Sequence, residues 1–174
     1  IKDIPSDNLG IVINLSPQGT IFSQKKAKEL SKLKNITIIC GRYEGIDERL
    51  ISQYVDDEIS IGDYVLSGGE FAALTLIDTL SRFIPGVIGN KKSVELDSFS
   101  QGLLKGPVFT RPETFNSNDV PEVLISGDHN KIKEWRDNQS LIRTLERRPD
   151  LLKNAKLTKK QKKLLEELSS KAIL

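Results

Sequence analysis

The chain has 174 residues, 37% of them hydrophobic and 29% charged, with a formal net charge of +2 and one cysteine, Cys40. That length supports one real core with a small appendage, the charge is too small to mark a nucleic-acid binder by itself, and a single cysteine excludes an internal disulfide. No apolar run approaches the length of a bilayer span and no signal-peptide pattern opens the chain, so the expected compartment is the cytoplasm.

In chain order, Gly10 to Leu15 (GIVINL) reads as a short buried strand, stopped by Ser16-Pro17-Gln18-Gly19. A helix from Ser23 to Leu33 and a second strand from Ile36 to Cys40 follow. Strand, helix and strand at this spacing predict an α/β domain with a parallel sheet. The second strand runs into CGRYEGIDERLI, where Gly41 and Gly45 bracket Arg42, Tyr43 and Glu44. The carboxyl edge of an open parallel sheet is where such folds bind ligands. Asp47, Glu48 and Arg49 suit the first turn of a helix, its dipole favouring the acids.

Glu58 to Glu70 (EISIGDYVLSGGE) is the densest segment. Ile59, Ile61, Tyr64, Val65 and Leu66 suit buried extended backbone, and Gly62, Gly68 and Gly69 interrupt it. The run from Glu70 to Ile84 predicts a helix with a stripe at Ala73, Leu76, Ile77 and Leu80, ended by Pro85-Gly86. A strand, a glycine turn and a helix start concentrate backbone donors at one point. An ordinary strand-to-helix connection has the same pattern.

From Asn90 to Asp119 there is no sustained periodicity, which predicts a functional or flexible linker. A domain boundary is expected near Phe115 to Asp119, where the composition turns to Asn, Ser and Asp. The remainder is helical. Ile132, Trp135, Ile142 and Leu145 share a face of a helix from Asn130 to Arg147, and Thr158 with Gln161 forms a capping-box pattern for a last helix. KEWRDNQSLIRTLERR and KLTKKQKKLL make this end basic, which suits phosphate contacts or a solvated face. The sole histidine, His129, has no partners at metal spacing.

The dinucleotide GxGxxG, the phosphate-loop GxxxxGK[ST] and the GxSxG elbow are all missing. What remains is a glycine-rich ligand edge with Arg42, Glu44, Arg82 and Asp97 as polar candidates, a pattern that fits a transferase using an organic cofactor.

LSPQG (Leu15 to Gly19), CGRYEGIDER (Cys40 to Arg49), SIGDYVLSGGE (Ser60 to Glu70), SRFIPGV (Ser81 to Val87), TRPE (Thr110 to Glu113) and VPEVLISGDH (Val120 to His129) occur in order. With the later motif from Trp135 to Leu152, they closely resemble the bacterial tRNA (guanine-N1) methyltransferases of the TrmD type. The resemblance implies a SPOUT-class α/β fold, a parallel sheet with a C-terminal trefoil knot, followed by a small all-helical domain. In this chain that means a knotted cofactor domain over residues 1–115, a flexible linker over about 90–119, and a tRNA-binding domain over 120–174. It also implies a homodimer and no membrane.

The resemblance further implies that S-adenosylmethionine binds against Leu15, Ser16, Pro17, Gly41, Ile61, Gly62, Asp63, Tyr64, Val65, Leu66, Gly68 and Gly69. The methyl group goes to N1 of the guanosine immediately 3′ of the anticodon. Asp97 matches the general base, Arg82 the arginine that stabilises charge on the guanine oxygen, and Glu44 a glutamate near base and cofactor. Magnesium has been linked to the family, but the sequence shows no ligand cluster for it. Two departures stand out. Family members usually begin with a further N-terminal segment carrying a GGGxGM-like loop, and this chain starts after it: either it is a fragment or the upstream part lies outside this sequence. Lys105 and Val108 also replace an acid and a histidine found in many members. The alternatives are a related knotted methyltransferase acting on another RNA and a non-catalytic RNA-binding fragment.

Overall fold

The structure is a computed structural model that describes residues 1, 3–89 and 96–171. The contacts divide the chain into two compact units, Ile1–Lys91 and Lys92–Leu174.

The first unit is α/β. Strands β1 (Ile11–Ile21), β2 (Ile36–Ile39) and β3 (Asp57–Ser60) form a parallel sheet in the order β2-β1-β3. The β1 strand is central, as its continuous burial from Val12 to Leu15 requires. Helices α1 (Ser6–Leu9), α2 (Gln24–Leu30), α3 (Glu48–Tyr54) and α4 (Glu70–Ser81) complete the unit. Ser23 caps α2 by accepting from the Lys26 amide, and Asp47 caps α3 by accepting from the Arg49 amide. Ala27 and Leu30 of α2 and Ala72, Ala73, Leu76 and Leu80 of α4 bury against Ile13, Leu15 and Ile59. Small residues, Ala27 on α2 and Ala72 and Ala73 on α4, suit the close approach of these two helices.

Two expectations need correcting here. Ser16 to Gly19 does not end β1: Leu15 and Thr20 both pair with Ile59, and the four residues between them bulge away before pairing resumes. Gly19 makes this possible, because a Cβ there would fall on the Glu58–Ile59 peptide. The stretch after β3 is likewise not a buried strand. Tyr64, Val65 and Leu66 are 54%, 86% and 39% exposed, because the chain leaves the sheet after Ser60 and turns at Gly62, whose φ is 151°.

The second unit is built on α6 (His129–Arg147), capped by Asp128, whose carboxylate accepts from the Asn130 and Lys131 amides. The short α5 (Glu122–Ile125) precedes it; a 3-10 turn over Pro149–Lys153 and α7 (Lys159–Lys171) follow. The capping box at α7 is reciprocal: the Thr158 amide donates to Gln161 Oε1 at 2.9 Å, and the Gln161 amide to Thr158 Oγ1 at 3.3 Å. Phe115 to Asp119, where composition suggested a linker, is a hairpin of β4 (Thr114–Phe115) and β5 (Asn118–Asp119). Its two turn residues, Asn116 and Ser117, both have positive φ.

Of the aperiodic stretch 90–119, residues 90–95 lie outside the described residues. The part from Asp97 to Phe109 packs on α6 with irregular backbone. Leu103 is buried, and the Leu104 peptide is held from both sides by helix hydroxyls. Its amide donates to Thr144 Oγ1 at 2.9 Å, and its carbonyl accepts from Ser140 Oγ at 2.5 Å. Phe109 meets Trp135 with ring centroids 6.1 Å apart. These contacts explain why the unit begins near residue 92 and not near 115. They also shift the buried line of α6 to Leu141 and Thr144, both 0% exposed, beside the expected apolar stripe. Thr144→Val is therefore expected to cost about 1 to 2 kcal/mol, because the Leu104 amide loses its acceptor in a partly buried place. Urea unfolding is the measurement, and an unchanged midpoint would discard the clamp. Among the described residues no helix is long and apolar enough to cross a membrane.

Candidate functional site

A cleft of about 310 Å³ opens at the carboxyl edge of the sheet in the first unit. Three loops wall it: Leu15 to Gln18 from the bulge in β1, Gly41 to Ile46 after β2, and Ile61 to Gly69 after β3. Each follows a parallel strand, so the sheet itself brings them to one edge. Of the residues expected at a cofactor, Leu15, Ser16, Pro17, Gly41, Ile61, Gly62, Tyr64, Val65, Leu66, Gly68 and Gly69 line this cleft. Asp63 is not among the lining residues. Glu44 lines the cleft and is exposed.

The loops are knit by their own main chain. Gly69 N donates to Gly41 O at 2.9 Å, and Arg42 and Gly68 form an antiparallel bridge. Ser60 Oγ accepts from Gly62 N at 3.2 Å, and Tyr64 N donates to Gly62 O at 3.0 Å. Such turns present amide and carbonyl groups to a ligand without committing charge. Arg42 Nε donates to Glu70 Oε1 at 2.6 Å, tying the second loop to the first turn of α4. That hydrogen bond holds the Glu70 carboxyl below the usual carboxylate range. Cys40 is exposed as a residue, yet local desolvation of its thiol, with the Glu70 charge adding to it, pushes its pKa up. A raised thiol pKa disfavours the thiolate that a nucleophile needs.

The cleft floor holds one residue that the sequence reading passed over. Asn14 is 4% exposed and donates from Nδ2 to Glu58 Oε1 at 2.7 Å, while its Oδ1 accepts no hydrogen bond among the described residues. A buried, unsatisfied acceptor beside a cleft is costly unless a ligand supplies the donor. The signal was an asparagine in the middle of an otherwise aliphatic buried strand, GIVINL. Tyr43 at the rim is 98% exposed with φ of 58°, a left-handed conformation rare for a bulky residue.

Arg82 closes α4 as its C-cap and is half-buried. Asp97 belongs to the second unit, where its Oδ1 lies 3.1 Å from Lys105 Nζ. Neither residue lines the cleft as it stands within the first unit. Among the described residues no group of three or more His, Cys, Asp or Glu could hold a metal ion.

Residues 1–154 match the family described as tRNA (Guanine-1)-methyltransferase TrmD. The chain is 60% identical over 156 residues to the tRNA (guanine-N(1)-)-methyltransferase of Shewanella sediminis (strain HAW-EB3), covering 90% of this chain and 64% of that protein. It is 54% identical over 170 residues to that of Desulforamulus reducens, covering 98% of this chain and 67% of the relative. With the protein of the same name from Vibrio vulnificus (strain YJ016) it shares 55% identity over 156 residues, 90% of this chain and 63% of the relative. The chain thus spans about two thirds, or slightly less, of the length of these curated relatives. With a match over most of its length, the chain belongs to the tRNA (guanine-1)-methyltransferase TrmD family.

Proposed function

We propose that the protein transfers a methyl group from S-adenosylmethionine to N1 of the guanosine immediately 3′ of the anticodon in tRNA. The observation that carries this reading is the cleft. In a chain of this family, it gathers Leu15 to Pro17, Gly41 and the Ile61 to Gly69 loop at one sheet edge. Its volume falls within the ordinary range for small-ligand sites. Main-chain groups of those loops, Gly68 and Gly69 among them, would hold the donor. Asn14 Oδ1 stands ready to accept from a buried amine. S-adenosylmethionine, when bound, supplies a methyl carbon activated by its positively charged sulfur, which leaves as a neutral thioether.

Asp97 takes the proton that guanine N1 must lose on being methylated, a general-base role. Arg82 stabilises the negative charge that develops on the guanine oxygen, and Glu44 acts near the base at the cleft mouth. The carboxylate becomes neutral as the donor loses its positive charge, so the step is balanced in charge.

The finer architecture we propose is the SPOUT fold with its trefoil knot. Family membership and the parallel β2-β1-β3 order support it. A homodimer is supported by α4, which leaves Phe71, Leu74 and Ile77 exposed along one side at 65%, 61% and 52%. The basic α6 and α7 suit the phosphates of an anticodon arm, and the setting is the cytoplasm.

The test uses the full-length protein, a labelled methyl donor, and tRNA transcripts with G or A next to the anticodon. A ribosomal RNA fragment serves as a third substrate. Label is expected in the G transcript alone. Equal labelling of the two transcripts, preference for the ribosomal fragment, or no labelling at all would each overturn the reading.

A further inference from the structure

We infer that Lys105 is a positioning residue for the base: its ammonium holds the Asp97 carboxylate ionised and oriented for proton abstraction. The inference rests on the reading of Asp97 as general base and goes beyond it, since Lys105 touches no reacting atom.

The geometry that carries it lies wholly within the second unit. Lys105 Nζ stands 3.1 Å from Asp97 Oδ1, with side-chain exposures of 47% and 29%. A salt bridge between two free surface side chains contributes little, because both must be ordered to make it. Here the loop has already been ordered by other means. Phe99 N donates to Leu103 O at 2.8 Å and Gly102 N to Phe99 O at 3.1 Å, closing a tight turn between the two partners. Phe99 sits at φ 72°, a conformation retained only where surrounding bonds enforce it. The Lys105 amide donates to Ser98 Oγ at 2.9 Å, next to the acid. The residue before Lys105, Leu104, is the one clamped by Thr144 and Ser140. The backbone at both ends of the pair is therefore fixed, and one lysine is aimed at one carboxylate.

A cation at this distance favours the charged form of a carboxylate and so keeps the base available as the pH falls. It also gives the Oδ1 oxygen a fixed partner. Arg136, Asp137 and Arg143 are charged side chains that α6 carries along the docked stretch; they stay unchanged in every variant below.

The experiment is the pH dependence of single-turnover methyl transfer by the full-length protein with saturating donor and tRNA. Lys105→Met, Lys105→Arg and Asp97→Asn are compared with the unaltered protein, and donor binding is measured by calorimetry. Lys105→Met is expected to raise the midpoint of the acid limb by about half a unit to one unit, the partial exposure of the pair keeping the shift modest. Donor affinity should not move, and Lys105→Arg should restore the original midpoint. Superimposable acid limbs, or a uniform slowing at every pH, would overturn the assignment, since a merely structural lysine gives one or the other. A failure of Lys105→Arg to restore the midpoint would overturn it too. Asp97→Asn separates this outcome from failure of the underlying reading: if it transfers methyl groups at the normal rate, Asp97 is not the base and the parent proposal falls.

Discussion

Asp97→Asn is expected to lower the single-turnover rate of methyl transfer by about a thousandfold, within the usual range for removal of a general base. Donor affinity should stay within about twofold, because no cleft-lining residue is altered. The substitution keeps size and shape, and its amide oxygen can still accept from Lys105, so the turn from Asp97 to Lys105 has no reason to rearrange. What it removes is an oxygen able to take a proton at neutral pH. Calorimetry beside rapid-quench kinetics separates the two effects. Loss of donor binding together with turnover would show that Asp97 holds the fold, and an unchanged rate would remove it from the chemistry.

The second large effect is expected at Gly19. A Cβ at this position would occupy the Glu58–Ile59 peptide, which is backbone and cannot swing aside as a side chain can. Gly19→Val must therefore push β1 from β3 where pairing resumes at Thr20, and the Leu15 to Gln18 wall of the cleft moves with it. Overpacking of this kind costs about 1 to 3 kcal/mol, which corresponds to a fall of roughly 2 to 12 °C in thermal midpoint. Donor affinity should fall at the same time, by about tenfold or more, as the loop is displaced. Differential scanning calorimetry with and without the donor tests both. A variant that melts normally and still binds the donor would show that the bulge tolerates a side chain.

Much of the site was legible because glycine, proline and aliphatic runs are local signals. GIVINL, ITII and the glycines of CGRYEG and LSGGE predict parallel strands ending in ligand-lining turns, and the cleft lies there. The Thr158–Gln161 box and the helix over 129–147 were legible for the same reason: caps and a 3.6-residue period are written within a few residues. The features that were not legible depend on distant partners. Pro17 and Gly19 read as the end of a strand; only the peptide of Glu58 and Ile59, about forty residues on, makes them a bulge within one. Tyr64 to Leu66 read as core because they are apolar, yet the turn at Gly62 carries them out of the sheet. The docked segment from Asp97 to Phe109 shows no period, since its backbone bonds close a turn of its own and, at Leu104, reach side chains of α6, with no ladder.

The grip of two helix hydroxyls on a single peptide has a mechanical meaning. Because Ser140 and Thr144 seize Leu104 by both its donor and its acceptor, the turn that bears the acid travels as cargo of α6. Any tilt or slide of that helix is handed on to the carboxylate with little slack. On the proposed reading, an RNA that grasps the basic helices would thereby also steer the proposed base, and loosening Ser140 or Thr144 would weaken the link between grasping and steering.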